Sequence, residues 1–202
     1  MKARIIIFNG FDELDAIAPF EVLRNATATG ADIHVELVTL DGAEEITAAH
    51  GLRVHCDTRL EIGERPDVLI VPGGNWNNRA PQGTWAEAQR GEIPAAIARL
   101  HQSGVTVASV CTGVMLVAAA GLLAHRPAIT HHQAVEELRT AGAEVIQARV
   151  VDDNDIITAG GVTSGLDLAL WLVERYTDAQ SAQAIERQLE YERRGTVWRR
   201  PK

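Results

Sequence analysis

The stretch that decides the fold of this chain is Val105-Thr-Val-Ala-Ser-Val-Cys-Thr-Gly-Val-Met-Leu-Val-Ala-Ala-Ala-Gly121. Val105 to Val110 is apolar and rich in β-branched residues, which is typical of a strand buried on both faces. Val114 to Leu123 is rich in Ala and Leu, which favours a helix. The periodicity therefore changes at Cys111, where a buried strand leads directly into a helix.

Cys111 occupies the place that a nucleophile takes in a strand–turn–helix elbow. The small residues Ser109 and Gly113 flank it at minus two and plus two, which allows a sharp turn. The free N–H groups and the positive dipole end of the following helix are expected to favour its thiolate. The alternative is a core cysteine, because free cysteine is among the most buried residue types. We interpret Cys111 as a nucleophile because the change of element and the small neighbours coincide.

The rest of the chain alternates between strand-like and helix-like runs. Strands are predicted at Ala3 to Phe8, Ile33 to Leu40, Val68 to Val71, Val105 to Val110, Val145 to Val151 and Asp155 to Thr158. Helices are predicted at Ala16 to Thr29, Trp85 to Ser103, Thr112 to Ala124, Gln133 to Ala141, Thr163 to Tyr176 and Asp178 to Glu192. This order predicts an α/β fold, a parallel sheet with helices on both faces, in one domain spanning residues 1–202. Between Leu40 and Pro66 we expect a polar hairpin, and Ser164 and Asp167 have the spacing of a capping box.

Carboxylates follow the first predicted strand, and ligands of parallel sheets bind where strands end. On a helix, Asp15 lies against apolar neighbours, which favour the protonated carboxyl group. Such a carboxyl group near a thiolate is a candidate general acid–base, with Glu21 as the second candidate. The alternative for Asp15 is an acid that interacts with the helix dipole. Asp12 and Glu13 are assigned to solvent.

Two further strand ends offer polar groups. Gly73 and Gly74 follow a buried strand, and their N–H groups could stabilise an oxyanion, although a plain turn explains them equally well. His131 or His132 could polarise a ligand or shuttle protons; the alternative is a histidine at an exposed helix start. The adjacent histidines lack metal-ligand spacing, so we expect neither metal nor cofactor.

Composition bounds the partners and the compartment. The 202 residues carry a formal net charge of −8, which argues against nonspecific nucleic-acid binding. There is no apolar run of membrane-spanning length and no signal-peptide pattern, and the two cysteines, Cys56 and Cys111, make no disulfide framework. We expect a cytoplasmic protein without membrane or nucleic-acid partners. The basic C-terminal residues are interpreted as a solvated tail or helix end: Arg187, Arg193, Arg194, Arg199, Arg200 and Lys202.

Taken together, these motifs resemble the ThiJ/PfpI superfamily, which has the class I glutamine amidotransferase-like, flavodoxin-like fold. The resemblance covers nearly the whole chain. It is carried by Leu14-Asp15, Val71-Pro-Gly-Gly74, Ser109-Val-Cys-Thr-Gly113, Thr130-His131 and Gly160-Gly-Val-Thr-Ser-Gly-Leu-Asp167. The Leu-Asp, Cys-Thr-Gly and Thr-His motifs are most similar to the isocyanide (isonitrile) hydratase branch, which adds water to isocyanides and releases N-substituted formamides.

We expect Gly73, Gly74 and His131 around a small electrophilic substrate, with the Thr112 hydroxyl group and His131 orienting it and the N–H groups of Gly74 and Thr112 stabilising developing charge. The resemblance implies a catalytic set of Cys111, Asp15 and Thr112. It also implies a homodimer, which is the commonest oligomer in any case. Protease-like members have a His where this chain has Thr112, and glyoxalase- and deglycase-like members usually have a Glu where it has Asp15. Chemistry on 2-oxoaldehydes, a redox sensor and a binding module like the sensing half of AraC-type regulators remain alternatives. Those regulators continue into a helix-turn-helix region, which we do not expect here.

Overall fold

A computed structural model describes residues 1–28, 30–61 and 63–200. Its strands are β1 (Lys2–Ile6), β2 (His34–Thr39), β3 (Glu45–Thr47), β4 (Arg53–His55), β5 (Thr58–Arg59), β6 (Val68–Val71), β7 (Thr106–Val110), β8 (Pro127–Ala128), β9 (Glu144–Val145), β10 (Val150–Asp152), β11 (Ile156–Ala159) and β12 (Trp198–Arg199). Its helices are α1 (Glu13–Ala28), α2 (Thr84–Arg90), α3 (Glu92–Gln102), α4 (Gly113–Ala119), α5 (Val135–Thr140), α6 (Ser164–Tyr176) and α7 (Ala179–Gln188), with a 3-10 turn at His132–Ala134 before α5.

The central sheet has the strand order β12-β10-β11-β7-β6-β1-β2-β5. Neighbouring strands pair in parallel except β10, which runs antiparallel to β11. The four residues of β6 and the four of β11 are all buried, as expected for strands covered on both faces. The predicted α/β sheet is therefore confirmed, with one antiparallel strand added.

Two groups of helices cover the sheet. α1, α6 and α7 pack on one another, and α2, α3 and α4 form a second group. Pro19 in α1 touches α6 where Gly165 leaves room, since a Cβ built at Gly165 would lie 3.3 Å from the proline Cδ. This close packing holds the first turn of α1, which carries Asp15, against the carboxyl ends of the central strands.

The predicted polar hairpin between Leu40 and Pro66 is confirmed as β3 and β4, which pair antiparallel. Its tip folds back on the start of α1 through backbone bonds from Gly10 N–H to Thr47 O (2.9 Å) and from Ala49 N–H to Phe11 O (2.8 Å). The hairpin therefore lies beside the end of β1 and forms one wall above the strand ends.

Three predicted elements are divided or reorganised in the structure, and the predicted helix Thr112 to Ala124 is shorter, since α4 ends at Ala119. The predicted strand Val145 to Val151 is two strands, and β9 pairs with β8 outside the main sheet. The predicted helix Trp85 to Ser103 is broken into α2 and α3 at Gly91, whose φ is 79°. The predicted helix Gln133 to Ala141 begins with the 3-10 turn. The last residue of the predicted first helix, Thr29, lies outside the described residues.

The predicted capping box was wrong. α6 follows Thr163 as its N-cap, without a side-chain cap, and Ser164 is already inside the helix. The carboxyl group of Asp167 instead accepts bonds from Arg149 Nε (2.7 Å) and the Arg194 N–H (2.9 Å). Asp167 therefore ties α6 to the segment that leads to β12.

Among the basic C-terminal residues, Arg187 lies in the last turn of α7, as the helix-end interpretation predicts, whereas Arg193 and Arg200 are ion-paired and do not form a free tail. Arg193 binds Glu174 and Glu186, both at 2.6 Å, and Arg200 binds Asp153. Lys202 lies outside the described residues. These ion pairs fasten β12 beside β10 at one edge of the sheet.

In the described ranges, no helix has both the length and the apolar character needed to cross a membrane.

Candidate active site

Cys111 stands at a strained turn between β7 and α4. Its φ is +56°, a left-handed conformation that costs a non-glycine residue about 1 kcal/mol or more. Its N–H donates to the carbonyl groups of Ala159 (3.1 Å) and Gly160 (2.8 Å), and its carbonyl oxygen accepts from Thr130 Oγ1 at 2.8 Å. These bonds hold the strained conformation and hence the direction of the thiol group.

Asp15 lies behind Cys111, in the first turn of α1, and is completely buried. Its Oδ2 accepts the Gly73 N–H at 2.9 Å, whereas its Oδ1 has no hydrogen-bond partner of normal geometry among the described residues. Burial, and secondarily the negative charge of Asp12, raise the pKa of Asp15 well above its usual value. The Gly73 N–H and the Cys111 thiol act in the opposite direction without cancelling the effect of burial.

The expectation that the helix favours the Cys111 thiolate was wrong for the state in which Asp15 is ionised. Burial, followed by the charge of Asp15, raises the pKa of the Cys111 thiol strongly. The N–H groups of Val162 and Thr112 lower it, but less. α4 has only seven residues and begins two positions after the cysteine, so its dipole does not offset the cost of burying a second negative charge.

Asp15 and Cys111 therefore compete for one negative charge. Each group raises the pKa of the other when it is ionised, because like charges at close range in a buried site repel. If Asp15 carries the proton, the repulsion disappears, and the two N–H groups facing the sulfur remain to stabilise a thiolate. The geometry is that of a buried pair that can pass one proton between carboxyl and thiol.

The structure contradicts the predicted role of Gly73 and Gly74 as oxyanion donors. The Gly73 N–H already donates to Asp15, and the Gly74 N–H donates to Thr112 Oγ1 at 3.0 Å. A Cβ built at Gly73 would lie 2.6 Å from Thr112 N and 2.9 Å from Asp15 Oδ2, so only glycine fits there. The two glycines therefore link Asp15 to Thr112 through their backbone, and neither glycine N–H is free to bind a substrate.

Thr112 also differs from its predicted role, because its hydroxyl group is used inside the protein. Thr112 is buried, and its Oγ1 lies 3.1 Å from Thr84 Oγ1 in addition to accepting the Gly74 N–H. Its own N–H faces the Cys111 sulfur. The backbone of Thr112, together with that of Val162, is therefore the available donor pair at the thiol.

A cleft of about 320 Å³ opens over Cys111. Its walls come from the α1 start, the hairpin tip, the loop after β6 and the loop before α5: Asp12, Ala49, His50, Gly74, Asn75, Trp76, Asn77, Asn78, Cys111, Thr112, His131, Gln133 and Val162. Glu21, the second carboxylate candidate, is exposed and lies outside these walls. The cleft is small and mostly polar, with carboxamide side chains at its rim.

Asp12 and Glu13 are not simply solvated, contrary to their assignment from sequence. Asp12 lines the cleft, and its charge acts on Asp15 and Cys111. Glu13 accepts the His50 N–H and lies 2.7 Å from His50 Nδ1, which lowers the pKa of Glu13 and raises that of His50. The pair joins the hairpin tip to α1 at the mouth of the cleft.

His131 reaches the cleft as predicted, and His132 does not line it. Partial burial, and then the neighbouring His132, lower the pKa of His131, which keeps its ring neutral near neutral pH. His131 and Val162 also border a second cavity of about 610 Å³, which His132 lines. Among the described residues, no group of three or more His, Cys, Asp or Glu side chains could hold a metal ion.

Sequence reasoning missed three contributors to the site. Val162 follows Gly160-Gly161, and this glycine pair was a signal that a strand end turns towards Cys111. The run Asn75 to Asn78 offered a cluster of carboxamides after the Pro-Gly-Gly turn. Thr84 gave no local signal, because its importance depends on contacts with residues 10 and 28 positions away.

Comparison with known proteins agrees with the sequence motifs. A model of the DJ-1/PfpI family matches residues 1–175. An isonitrile hydratase of Pseudomonas putida is 35% identical over 195 residues, covering 95% of this chain and 78% of that protein. A deglycase of Thermococcus kodakarensis is 28% identical over 162 residues, covering 79% of this chain and 89% of its own length. A solved ThiJ/PfpI family protein from Pseudomonas syringae superposes with a TM-score of 0.82 at 27% identity, over 97% of this chain and 77% of that one.

Proposed function

Because the chain belongs to the DJ-1/PfpI family, we propose that it is a cofactor-independent hydro-lyase that adds water to isocyanides and releases N-substituted formamides. The observation that carries the proposal is the buried Asp15 carboxyl group beside Cys111. Hydration of an isocyanide needs a nucleophile for the terminal carbon, a proton for that carbon and a base for water. A thiol paired with a carboxyl group of raised pKa supplies all three.

In the first step, the sulfur of Cys111 bonds to the terminal carbon of the isocyanide. The proton of the thiol passes through Asp15 to that same carbon, which gives a thioimidate, R–N=CH–S–Cys. The N–H groups of Thr112 and Val162 stabilise the sulfur while it carries negative charge. The raised pKa of Asp15 helps here because a carboxyl group that holds its proton more tightly accepts one from a thiol more easily.

In the second step, Asp15 takes a proton from water as the oxygen attacks the thioimidate carbon. One proton of the water ends on the nitrogen, the other returns to sulfur, and the carbon–sulfur bond breaks. The products are R–NH–CHO and the free thiol, so atoms balance and the protein is regenerated. The neutral ring of His131 and the carboxamides at the rim are placed to orient the substrate by hydrogen bonds.

Two observations support isocyanides over other substrates of this fold. The site pairs cysteine with aspartate, and it has Thr112 rather than a histidine after the nucleophile, so a base for peptide hydrolysis is missing at that position. The relative from Pseudomonas putida is an isonitrile hydratase and matches 95% of the chain. The deglycase relative favours a second candidate, addition of the thiol to a 2-oxoaldehyde with Asp15 moving protons.

The test is product formation by the purified protein. We expect formamide from alkyl or aryl isocyanides with wild type and none with Cys111→Ala. Methylglyoxal and peptide amides are tested in parallel, and mild peroxide treatment followed by mass spectrometry tests for a gain of two oxygen atoms on Cys111. If the protein consumes methylglyoxal and forms no formamide from isocyanides, the 2-oxoaldehyde reaction replaces the hydratase function. Oxidation without any turnover would indicate a redox sensor.

A further inference from the structure

Thr84 is a fully buried polar residue that no part of the proposed chemistry uses directly. It is the first residue of α2 and follows Gly83, the N-cap, which has no side chain to cap the helix. Thr84 does not line the cleft, so it cannot touch a substrate. A buried hydroxyl group in such a place needs partners, and its partners lie in the candidate active site.

The hydroxyl group of Thr84 fixes the direction of the hydroxyl group of Thr112. The carbonyl oxygen of Gly74 accepts both the Thr84 N–H, at 2.8 Å, and the Thr84 hydroxyl. Since the Thr84 proton is used on Gly74, the 3.1 Å contact between the two threonine oxygens must have Thr112 as its donor. The Thr112 oxygen then presents a lone pair to the Gly74 N–H, at 3.0 Å.

This chain of bonds holds the turn that supports Asp15. Both backbone groups of Gly74, its N–H and its carbonyl, are fixed by the two threonines. The preceding peptide carries the Gly73 N–H, which donates to Asp15 Oδ2 at 2.9 Å. Gly73 O in turn accepts the Asp12 N–H at 2.7 Å. A displacement of this turn by a few tenths of an ångström would lengthen the bond to the carboxylate.

We propose that Thr84 is a positioning residue of the active site, which holds the Gly73 N–H on Asp15 through Thr112 and Gly74. The proposal rests on the proposed function only for its effect on turnover. Its structural part, the bond between Gly73 and Asp15, can be measured without a substrate.

The experiment compares Thr84→Val, which keeps the β-branched shape, with Thr84→Ser, which keeps the hydroxyl group. Thr39→Val is the matched control, because Thr39 is equally buried and its Oγ1 also donates to a backbone carbonyl, that of Ala43 at 3.1 Å. We expect kcat for formamide formation to fall about 10-fold in Thr84→Val, by the usual worth of a lost hydrogen bond, while KM stays within about twofold. Thr84→Ser and Thr39→Val should retain kcat.

The second measurement is the amide proton shift of Gly73 in protein labelled with nitrogen-15 glycine. A bond to a carboxylate moves this resonance downfield, so we expect an upfield shift in Thr84→Val and none in Thr84→Ser or Thr39→Val. If Thr84→Val does not fold, Thr84→Ala replaces it. An unchanged Gly73 resonance in the variant without the hydroxyl group would overturn the proposal whatever happens to kcat, as would an unchanged kcat in an active protein. If wild type forms no formamide, the hydratase function fails, and the Gly73 resonance still decides the role of Thr84.

Discussion

At the level of single residues, Asp15 and Cys111 form one proton-sharing unit. We expect Asp15→Asn to lower kcat about 10²- to 10⁴-fold, because the amide keeps the shape of the side chain but cannot exchange protons. The amide oxygen can still accept the Gly73 N–H, so the melting temperature should stay close to that of wild type. Glu21→Gln is the control, since Glu21 is exposed and outside the cleft. If Glu21→Gln were inactive and Asp15→Asn active, the proton transfer would belong to Glu21 and the assignment to Asp15 would be wrong.

The same Asp15 variant should make the thiol more reactive. Ionised Asp15 raises the pKa of Cys111, and a neutral asparagine removes that charge, so the pKa of the thiol falls and its thiolate fraction near neutral pH rises. Alkylation of Cys111 by iodoacetamide should therefore be faster in Asp15→Asn. Cys56 is the internal reference, because its pKa is raised by burial and by Asp41 and Asp57, which the variant leaves in place. Unchanged or slower alkylation of Cys111 would mean that Asp15 is protonated, not ionised, in the resting protein.

Thr112→Val tests the same series of hydrogen bonds, from Thr84 through Thr112 to Gly74, by removing the hydroxyl group of Thr112. Valine removes the acceptor of the buried Gly74 N–H, and an unpaired buried N–H costs about 1–3 kcal/mol of unfolding free energy. We expect this loss in urea denaturation, and kcat should fall with it. Because Thr84 acts through Thr112, the double variant should lose little more kcat than Thr112→Val alone. Fully additive losses in kcat would show that the two hydroxyl groups work independently.

At this scale the sequence identifies the chemical groups but not their partners. Cys111 and Asp15 could be selected because each stands at a strand end with a recognisable neighbourhood. The assignments of Gly73, Gly74 and the Thr112 hydroxyl went wrong for a common reason. Whether an N–H or O–H group is free depends on distant residues, here Asp15, Thr84 and the turn itself, and no local pattern encodes that.

At the level of elements, Gly91 separates α2 from α3. Its φ of 79° ends one helix and begins the next, and a Cβ there would meet no atom within 4 Å. Gly91→Ala should therefore destabilise the protein by about 1 kcal/mol through backbone strain alone. Gly63→Ala is the control, because Gly63 also has open space and no positive φ. Thermal unfolding of both variants checks this, and a stabilised Gly91→Ala would mean that the two helices can merge.

The elements that could be predicted are those with a clear period. β6 is a continuous apolar run and β7 is rich in apolar and β-branched residues, and their predicted ends agree with the structure within one residue. The break at Gly91 was not predicted, because the apolar period of the two helices continues across it. The division of Val145 to Val151 depends on β8, a partner outside the main sheet, so the sequence of that segment does not contain the reason for it.

At the level of the whole molecule, a group of ion pairs closes one edge of the sheet. Arg126 binds Asp153 at 2.5 Å, and it also binds Asp155. The side chain of Asp153 is only 1% exposed, so removing Arg126 leaves a buried charge whose remaining ionic partner is the half-exposed Arg200. We expect Arg126→Met to cost about 3 kcal/mol of unfolding free energy in urea. Arg139→Met, which breaks an exposed pair with Glu136, should cost at most about 0.5 kcal/mol.

The pH dependence of stability gives a second check on this group. Hydrogen bonding to Arg126 holds the pKa of Asp155 well below its usual value. A depressed pKa contributes stability above the unfolded value of about 3.9, and that stability is lost as pH falls towards the folded pKa. Wild type should therefore lose stability below about pH 4, and Arg126→Met should lose less over the same interval. If both proteins lost the same unfolding free energy between these pH values, the acid sensitivity would come from groups other than Asp155.

The closure of this edge has a consequence for the order in which the chain folds during its synthesis. Domains begin to fold from the amino-terminal side as the ribosome releases them. β10 and β11 emerge before β12, with Asp152 and Asp153 buried, and β12 and Arg200 follow almost fifty residues later. Until residue 200 has left the ribosome, the outer side of β10 has no strand to pair with, and Asp153 has only Arg126 as an ionic partner. A stalled nascent chain would expose this open edge to neighbouring chains, whereas the active-site end of the sheet, built from residues up to 162, could already be assembled.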